Sequence, residues 1–322
     1  AAPPKGSPRI ERNYNDLRRF YREQVAESGI ERLREIYSAL LQRMTVVQIE
    51  VDDPTNGPTI FDSLNSRQEP MTIGDLVRNE VFAKMAETNP GDAETLNELY
   101  WQPFYTKFES SADGRTNSFD DYFFPFGLIH DPNLRKSEAY TSLKRRWAPF
   151  TPEQVISDLG EYQLHFLDVS QGTNRANHGK EVSYRFRKLY QQGPLSSTYP
   201  FLMRVSKALS DGDSSSESVM SLLVAIESFL VRRAICGLEP TGLHAVFKRL
   251  WIDCESRVDA ERVISAITDH KTVVWPSDDR VSEAIKTRPM YGSRICKFLL
   301  LEYDTSLGGD SPNIDPWIEH IL

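Results

Sequence analysis

Two short segments combine basic and aromatic residues at the spacing of a helix. The first, LKRRW, contains Arg145 and Arg146, and the second, YRFRKLY, contains Arg185, Arg187 and Lys188. Guanidinium and ammonium groups bind phosphate while neighbouring rings stack on bases, so this pattern predicts contacts with DNA. The same pattern is also typical of a helix with buried rings and solvated charges. Both interpretations stay open at this point.

A third candidate is the string DSLNSRQEPMTIGDLVRNEVF at residues 62–82, which starts as a polar loop and continues as an amphipathic helix. Thr72 occupies the N-cap position and Asp75 follows three residues later, close to a capping box. The expected buried stripe consists of Ile73, Leu76, Val77, Val81 and Met85. The polar side chains left for chemistry are Asn65, Arg67, Asp75, Arg78 and Asn79.

Motifs for catalysis and metal binding are missing from most of the chain. None of the six histidines pairs with another histidine or a cysteine at a metal-ligand spacing, and GxxxxGK, GxGxxG and GxSxG are absent. His165 lies in the apolar string YQLHFLDV and is expected in the core, whereas His178 lies in a polar loop and is expected in solvent. The three cysteines form no CxxC pair, which indicates free thiols in a reducing cytoplasm.

The composition limits the classes of function. The 322 residues carry a formal net charge of −8 at pH 7, whereas a protein that binds nucleic acid over its whole surface is usually basic. Any DNA contact must therefore be a local patch or lie outside this chain. No apolar run is long enough to span a bilayer and no secretory signal opens the sequence, so we expect a soluble, cytoplasmic protein.

The elements that must position these residues are mainly helices. Two amphipathic helices separated by Gly29 are predicted first, and TVVQIEV predicts one short strand near residues 45–51. The segment DVSQGTNRANHGKE predicts a long loop that is either functional or mobile. The fold class is therefore mainly α, a helical bundle.

The string ESVMSLLVAIESFLVRRAICG is apolar nearly all round, which predicts a buried helix in the middle of the bundle. Ser216 is the expected cap at its start and Gly237 the expected stop at its end. Arg232 and Arg233 lie in its last turn and need partners, because an unpaired buried charge is costly. We expect an ion pair that ties two helices together.

Four strings in the right order resemble the GmrSD-like modification-dependent restriction endonucleases, a family that includes phosphorothioate-sensing SspE-type defence proteins. TIFDSLNSRQEPMTIGDLVRNEVF resembles the family's IFE-LNSRG-PLT-DLIRN-F block, and AIESFLVRRAICG resembles its IES-L-RRAICG helix. WPSDDRVSEAI is similar to its WPSDEEF segment, and IEHIL is similar to the opening of its HNH block. The strings extend from about residue 60 to residue 322. The stretches between them match only in helical character.

The resemblance implies a domain organisation. Residues 1–110 correspond to the C-terminal part of a ParB-like nucleotide-handling domain, residues 111–316 to a helical linking domain, and residues 317–322 to the start of a truncated HNH nuclease domain. The parent protein is then a DNA endonuclease that hydrolyses GTP or ATP and uses a divalent cation such as Mg²⁺. Its partner is modified phage or foreign DNA, and homo-oligomerisation is left open. This segment alone is expected to be inactive and to hold no cofactor.

The resemblance also implies roles for residues. His320 corresponds to the general base that activates water beside a divalent cation in the HNH block. The set Asn65, Arg67, Asp75, Arg78 and Asn79 would line or brace the nucleotide site. Gln68 stands at a position where the family usually has glycine. The DGQQR-type motif and the asparagines of the HNH site are missing here, and are expected upstream of residue 1 and beyond residue 322.

Two other functions remain open. The net negative charge and the helical bundle are also typical of a non-catalytic module that binds another protein. A stand-alone enzyme with an unrecognised site is the third hypothesis, although no nucleophile–base set is visible in the sequence.

Overall fold

A computed structural model describes residues 8–43, 71–88, 90–109, 118–193, 195–238 and 240–308. In these ranges the protein is mainly helical, which confirms the predicted fold class. The predicted strand at residues 45–51 lies outside them. None of the described helices combines the length and the apolarity that crossing a bilayer requires.

The chain divides into two compact units, Ala1–Gly57 and Pro58–Leu322. In the first unit, helix α1 (Pro8–Arg43) is interrupted at Gly29, whose φ is 75° and ψ is −179°. This left-handed backbone favours glycine because a side chain there would clash with the main chain. The predicted break at Gly29 is therefore confirmed. The three-part division at residues 110 and 316 stays a prediction.

The described helices of the second unit are numbered here in chain order. They are α2 (Ile73–Thr88), α3 (Ala93–Leu96), α4 (Gln102–Glu109), α5 (Ser118–His130), α6 (Ala139–Trp147), α7 (Pro152–Gly160), α8 (Gln163–Gln171), α9 (Lys180–Gln192), α10 (Tyr199–Ser210), α11 (Ser216–Ile235), α12 (Leu243–Asp253), α13 (Ala260–Thr268), α14 (Asp278–Thr287) and α15 (Arg294–Ser306). A π-helical turn, Asn97–Trp101, joins α3 to α4. Short 3-10 turns precede α3, α6 and α10, at Pro90–Asp92, Lys136–Glu138 and Ser196–Thr198.

Helix α11 is buried on one face and not all round as predicted, since Val224 on its other side is 42% exposed. Its fully buried side chains are Val219, Leu222, Leu223, Ile226 and Phe229. The cap is Ser215 rather than the predicted Ser216, since the Ser215 hydroxyl accepts from the N–H of Ser218 at 3.2 Å. The helix ends before Gly237, as predicted, with φ of 63° at that glycine.

Aromatic side chains join α4, α5 and the π-helical turn into one core layer. The Phe119 ring lies 6.0 Å from Trp101, 6.2 Å from Phe104 and 5.3 Å from Phe108, measured between centroids. Helix α2 docks on this layer at Gly74, where an added Cβ would lie 2.4 Å from the Phe119 ring. Gly74 also donates its N–H to the carboxylate of Asp120 at 2.8 Å. A glycine is therefore needed for this close approach.

The loop between α8 and α9 is organised around one buried carboxylate. Asp168, at 1% exposure, accepts from the Thr173 hydroxyl at 2.7 Å and from the backbone N–H groups of Arg175 and Ala176 at 2.5 Å and 2.9 Å. The predicted loop therefore exists, but Asp168 belongs to α8 and holds the turn that follows.

Candidate functional site

Helix α2 carries three members of the set predicted to face a nucleotide. Asp75 completes a capping box with Thr72, whose N–H and hydroxyl donate to Asp75 Oδ2 at 3.3 Å and 3.1 Å, while the Asp75 N–H donates to Thr72 Oγ1 at 3.2 Å. Arg78 is exposed, with its guanidinium carbon 5.7 Å from the centre of the Phe82 ring. Asn79 is half-buried. Asp75 thus has a structural role in starting the helix.

The other members of the predicted catalytic and nucleotide sets, Asn65, Arg67 and His320, lie outside the described residues. Their roles stay predictions. Among the residues that the structure does describe, no group of three or more His, Cys, Asp or Glu side chains is placed to hold a metal ion. The implied divalent cation therefore has no ligand set in this part of the chain.

In the first basic cluster, Arg146 is bound by a carboxylate. Its Nε and Nη2 donate to Asp158 at 3.1 Å and 2.6 Å, and Trp147 Nε1 donates to the same carboxylate at 2.8 Å. These hydrogen bonds raise the pKa of Arg146. The arrangement ties α6 to α7. Arg145 beside it is exposed and is the residue of this pair better placed for phosphate.

The second basic cluster also contains both paired and exposed cations. Lys188, only 5% exposed, lies 3.1 Å from Glu227 and 2.6 Å from Glu302, and Arg185 lies 3.1 Å from Glu227. These contacts link α9 to α11 and α15. Arg187 is exposed. Within both clusters the predicted DNA contact stays a prediction, and the exposed charges that remain for it are those of Arg145 and Arg187.

The end of α11 is joined to the segment that leads into α14. Arg232 donates to the Pro276 carbonyl at 3.1 Å and forms an ion pair with Asp278 at 2.5 Å. Arg233, 7% exposed, donates to the Val274 carbonyl at 3.1 Å. The expected ion pair between helices is thus present at Arg232. Arg233 is bound by backbone instead, and burial lowers its pKa.

Rings and a glycine complete this junction. Phe229 and Trp275 pack with their centroids 5.0 Å apart. An added Cβ at Gly237 would lie 2.4 Å from the guanidinium of Arg288, which donates to the Ala234 carbonyl at 3.1 Å. Arg288 therefore satisfies the open end of α11, and glycine is required there both for its backbone and for this approach.

A hydroxyl shared by two histidines lies in the core between α8 and α10. His165 Nδ1 is 2.8 Å and His178 Nε2 is 2.7 Å from Ser206 Oγ. All three side chains are buried. The expectation for His165 is confirmed, whereas that for His178 is wrong. His178 is 7% exposed because Asn174 holds the loop, accepting the His178 N–H at 2.8 Å and donating to its carbonyl at 3.0 Å.

The histidine–serine cluster resembles a nucleophile–base pair in its distances but is closed to solvent. A serine hydroxyl donates one hydrogen and accepts others, so one imidazole nitrogen accepts from Ser206 and the other donates to it. Burial lowers the pKa of His165 to about 4, helped by the nearby His178, and burial also lowers the pKa of His178. Ser206 is 0% exposed, so no substrate reaches the hydroxyl and the cluster acts as a core cross-link.

An open groove of about 470 Å³ lies between the π-helical turn with α4 on one side and α7 on the other. Its apolar surface includes Leu99 and Tyr100, which are 65% and 44% exposed, above the buried Phe104 and Ile156. This groove was not predicted from the sequence, because the π-helical turn that exposes Leu99 and Tyr100 has no residue signature.

Polar groups of both signs border the groove. Lys107 of α4 and Glu153 of α7 belong to its opposite walls. Gln163, at the start of α8, is 0% exposed and donates through Nε2 to the Phe104 carbonyl at 2.6 Å. Its Oε1 is buried and has no hydrogen-bond partner among the described residues.

Sequence reasoning missed Ser206 and Gln163, although one signal existed for Ser206. Ser206 lies on the apolar face of α10, between Leu202 and Leu209 at helical spacing. A polar residue on such a face implies a buried polar partner. Gln163 carries no comparable signal, because its partner is the backbone carbonyl of Phe104, 59 residues away in the chain.

Comparison with known proteins finds no match to a family model, a curated protein or a solved structure.

Proposed function

We propose that this chain is the helical connecting part of a DNA-defence restriction protein of the GmrSD-like class, acting in the cytoplasm on modified phage or foreign DNA. In this proposal GTP or ATP hydrolysis and metal-dependent DNA nicking belong to flanking halves, and the helices described here hold those halves in register. The capped, paired and buried charges of residues 71–308 suit a framework better than a reaction centre.

The observation that carries the proposal is the junction between α11 and residues 274–278. Two of the four strings that resemble the family, AIESFLVRRAICG and WPSDDRVSEAI, meet there through Arg232, Arg233 and Trp275. Each string alone is a weak match to the family, but the contact between the two strings explains why they occur together in one chain. Arg288 joins the same contact, because its guanidinium lies against Gly237 and donates to the Ala234 carbonyl.

The junction is also the place where a connecting role is best tested. Coupling between two distant sites needs an element whose arrangement both sites influence. Arg232 is partly exposed and its partner Asp278 is largely exposed, so this ion pair is accessible to change without a large loss of folding. A change here therefore perturbs the connection more than the core.

The experiment compares Arg232→Gln with Arg249→Gln in the full gene product. Arg249 is an exposed arginine on the neighbouring α12 and serves as the matched control. Nucleotide turnover and nicking of modified and unmodified DNA are measured for each protein. Arg232→Gln is expected to reduce nicking while leaving nucleotide turnover unchanged, and the control is expected to match the unaltered protein. Absence of both activities in the unaltered protein would refute the proposal.

A helical protein-interaction module is the second candidate, favoured by an exposed apolar stripe on α15. Leu300 and Tyr303 on this helix and Leu307 directly after it are 49%, 65% and 70% exposed. Such a stripe is typical of a surface that packs on another protein. Size-exclusion chromatography with light scattering, combined with DNA retention at low salt, separates the two functions, because the module is expected to form a stable protein complex and to retain no DNA.

A further inference from the structure

We propose that α15 undocks, which means that it separates from α9 and α11 as one helix while the rest of the bundle stays folded, and that the ion pair between Lys188 and Glu302 controls this opening. The inference rests on the described residues alone and does not depend on a role in DNA defence. Because α15 is the last described helix, its position decides where the chain leaves the bundle.

The packing of α15 on its neighbours is shallow. The helix contacts α9 and α11, and of its 13 residues only Phe298 is buried, at 7% exposure. Helix α11, in contrast, buries Leu222 and Ile226 completely. Segments that bury few apolar side chains open at a lower free energy than the core does. Helix α15 is therefore well suited to local opening.

A buried cation makes the main polar contact between α15 and the bundle. Lys188 of α9 has a side chain only 6% exposed, and its Nζ lies 2.6 Å from Glu302 of α15 and 3.1 Å from Glu227 of α11. The ring of Phe298 lies 5.7 Å from the same ammonium group. A buried ammonium group needs a partner of opposite charge. Lys188 has two such partners, and α15 supplies only one of them.

The second partner stays in place when α15 leaves. Glu227 belongs to α11 and is also bound by Arg185 at 3.1 Å, so Lys188 keeps an ion pair in the undocked state. Glu302 has a side chain that is already 36% exposed, so water replaces its partner readily. Undocking therefore leaves no buried charge unpaired at this position, which keeps the free-energy difference between the docked and undocked states small.

The chain just before α15 has the features of a hinge. Gly292 has a φ of 73°, and an added Cβ there would meet nothing within 4 Å. The Ser293 hydroxyl accepts the N–H of Cys296 at 3.3 Å, so the cap moves with the helix. Arg288, on the other side of the turn, donates to the Ala234 carbonyl and stays with α11. A few residues of this kind are enough to absorb the change in backbone angles of a hinge.

Hydrogen exchange of the full chain at low urea concentrations, followed by mass spectrometry, measures the opening. We expect the amides of α15 to exchange at least about a hundredfold faster than those at the centre of α11. Their rates should depend little on urea, because undocking of one helix exposes little surface. Fraying from the end would instead give a gradient of rates along α15. Such a gradient, or equal rates and equal urea dependence in α11 and α15, would overturn the proposal.

The role of Glu302 is tested by Glu302→Gln, which removes an ion pair that only the docked state has. We expect exchange of α15 to become about tenfold faster while α11 is unchanged. Asp304→Asn is the matched control, because it removes the same charge from the same helix at an exposed position without an ion pair to any described residue. An equal effect of the two substitutions would contradict the role given to Glu302.

Glu227→Gln is expected to act in the opposite direction. In this variant Glu302 is the one carboxylate left to Lys188, so undocking would leave the ammonium group unpaired. Exchange of α15 through the urea-independent opening should therefore become about tenfold slower, although the loss of a partner for Arg185 weakens the packing of α9 on α11. Faster urea-independent exchange of α15 in both Glu302→Gln and Glu227→Gln would show that Lys188 does not control the opening.

Discussion

Acidification is expected to destabilise this protein through the shared hydroxyl of Ser206 and its two histidines. In the unfolded chain an imidazole binds a proton near pH 6.5, whereas burial lowers the pKa of His165 in the folded protein to about 4. Between these two values the unfolded state binds more protons than the folded state. The contribution of His165 to the free energy of unfolding is therefore constant above about pH 6.5 and falls as the pH is lowered from there towards 4.

The size of the effect follows from the same two values. The interval from 6.5 to about 4 for His165 corresponds to roughly 3 kcal/mol of folding free energy, lost by the time the pH has fallen below 4. His178 contributes in the same direction, because burial lowers its pKa while Asp168 opposes the shift. For a domain of this size, a loss of that order is a substantial fraction of the total stability.

The assay is urea denaturation followed by circular dichroism at a series of pH values from about 4 to 8, the range that spans the imidazole transition. The informative variant is His165→Asn, because the amide of asparagine can occupy the position of Nδ1 and does not titrate. Its curve of unfolding free energy against pH is expected to be shallower below pH 6.5. His270→Asn, which removes a histidine outside the cluster, is the control and should retain the original slope.

Two results would refute this reasoning. One is a His165→Asn protein whose pH dependence equals that of the unaltered chain, and the other is a stability that rises as the pH falls through 6. The hydroxyl itself is tested by Ser206→Ala at pH 7.5, which leaves two buried ring nitrogens without their partner. We expect a loss of about 2–3 kcal/mol, since each unpaired buried polar group costs about 1–3 kcal/mol.

Three further substitutions test local packing by urea denaturation at pH 7.5. Gly74→Ala forces a Cβ to within 2.4 Å of the Phe119 ring and is expected to destabilise by about 1–3 kcal/mol; a neutral effect would contradict the close approach. Gly160→Ala adds a methyl group to an open helical position and is expected to stabilise by up to about 1 kcal/mol; a loss of stability would show that the position is not open. Asp158→Asn removes the charge that binds Arg146 and is expected to cost about 1–2 kcal/mol; added salt should reduce the difference, and an unchanged midpoint would contradict the role given to this ion pair.

The helices were predictable from the sequence where local patterns decide them. The buried stripe of α2 at Val77 and Val81 and the break at Gly29 follow from spacing within one element. The exact cap of α11 was missed by one residue, because Ser215 and Ser216 are adjacent and either hydroxyl suits the position. Such local patterns predict structure only over about one turn of a helix.

The candidate site was not predictable, because its contacts join residues that are distant in sequence. The burial of His178 depends on Ser206, 28 residues later, and a polar loop sequence alone indicates exposure. Gln163 is defined by a backbone carbonyl on another helix. Arg146 and Arg185 have the same local setting as Arg145 and Arg187, and only the positions of Asp158 and Glu227 separate structural from exposed charges.

The π-helical turn Asn97–Trp101 gives this region of the chain one residue that it can lose. An α-helix rotates by about 100° per residue, and a π-helical turn holds about one residue more than a regular turn. Deletion of one residue within the turn is therefore expected to convert it to a regular helical turn while Phe104 and Phe108 stay on the side of the Phe119 ring. A deletion inside α4 has no such turn to absorb it and would rotate the residues that follow by about 100°, so tolerance of a deletion depends on which side of Trp101 it falls.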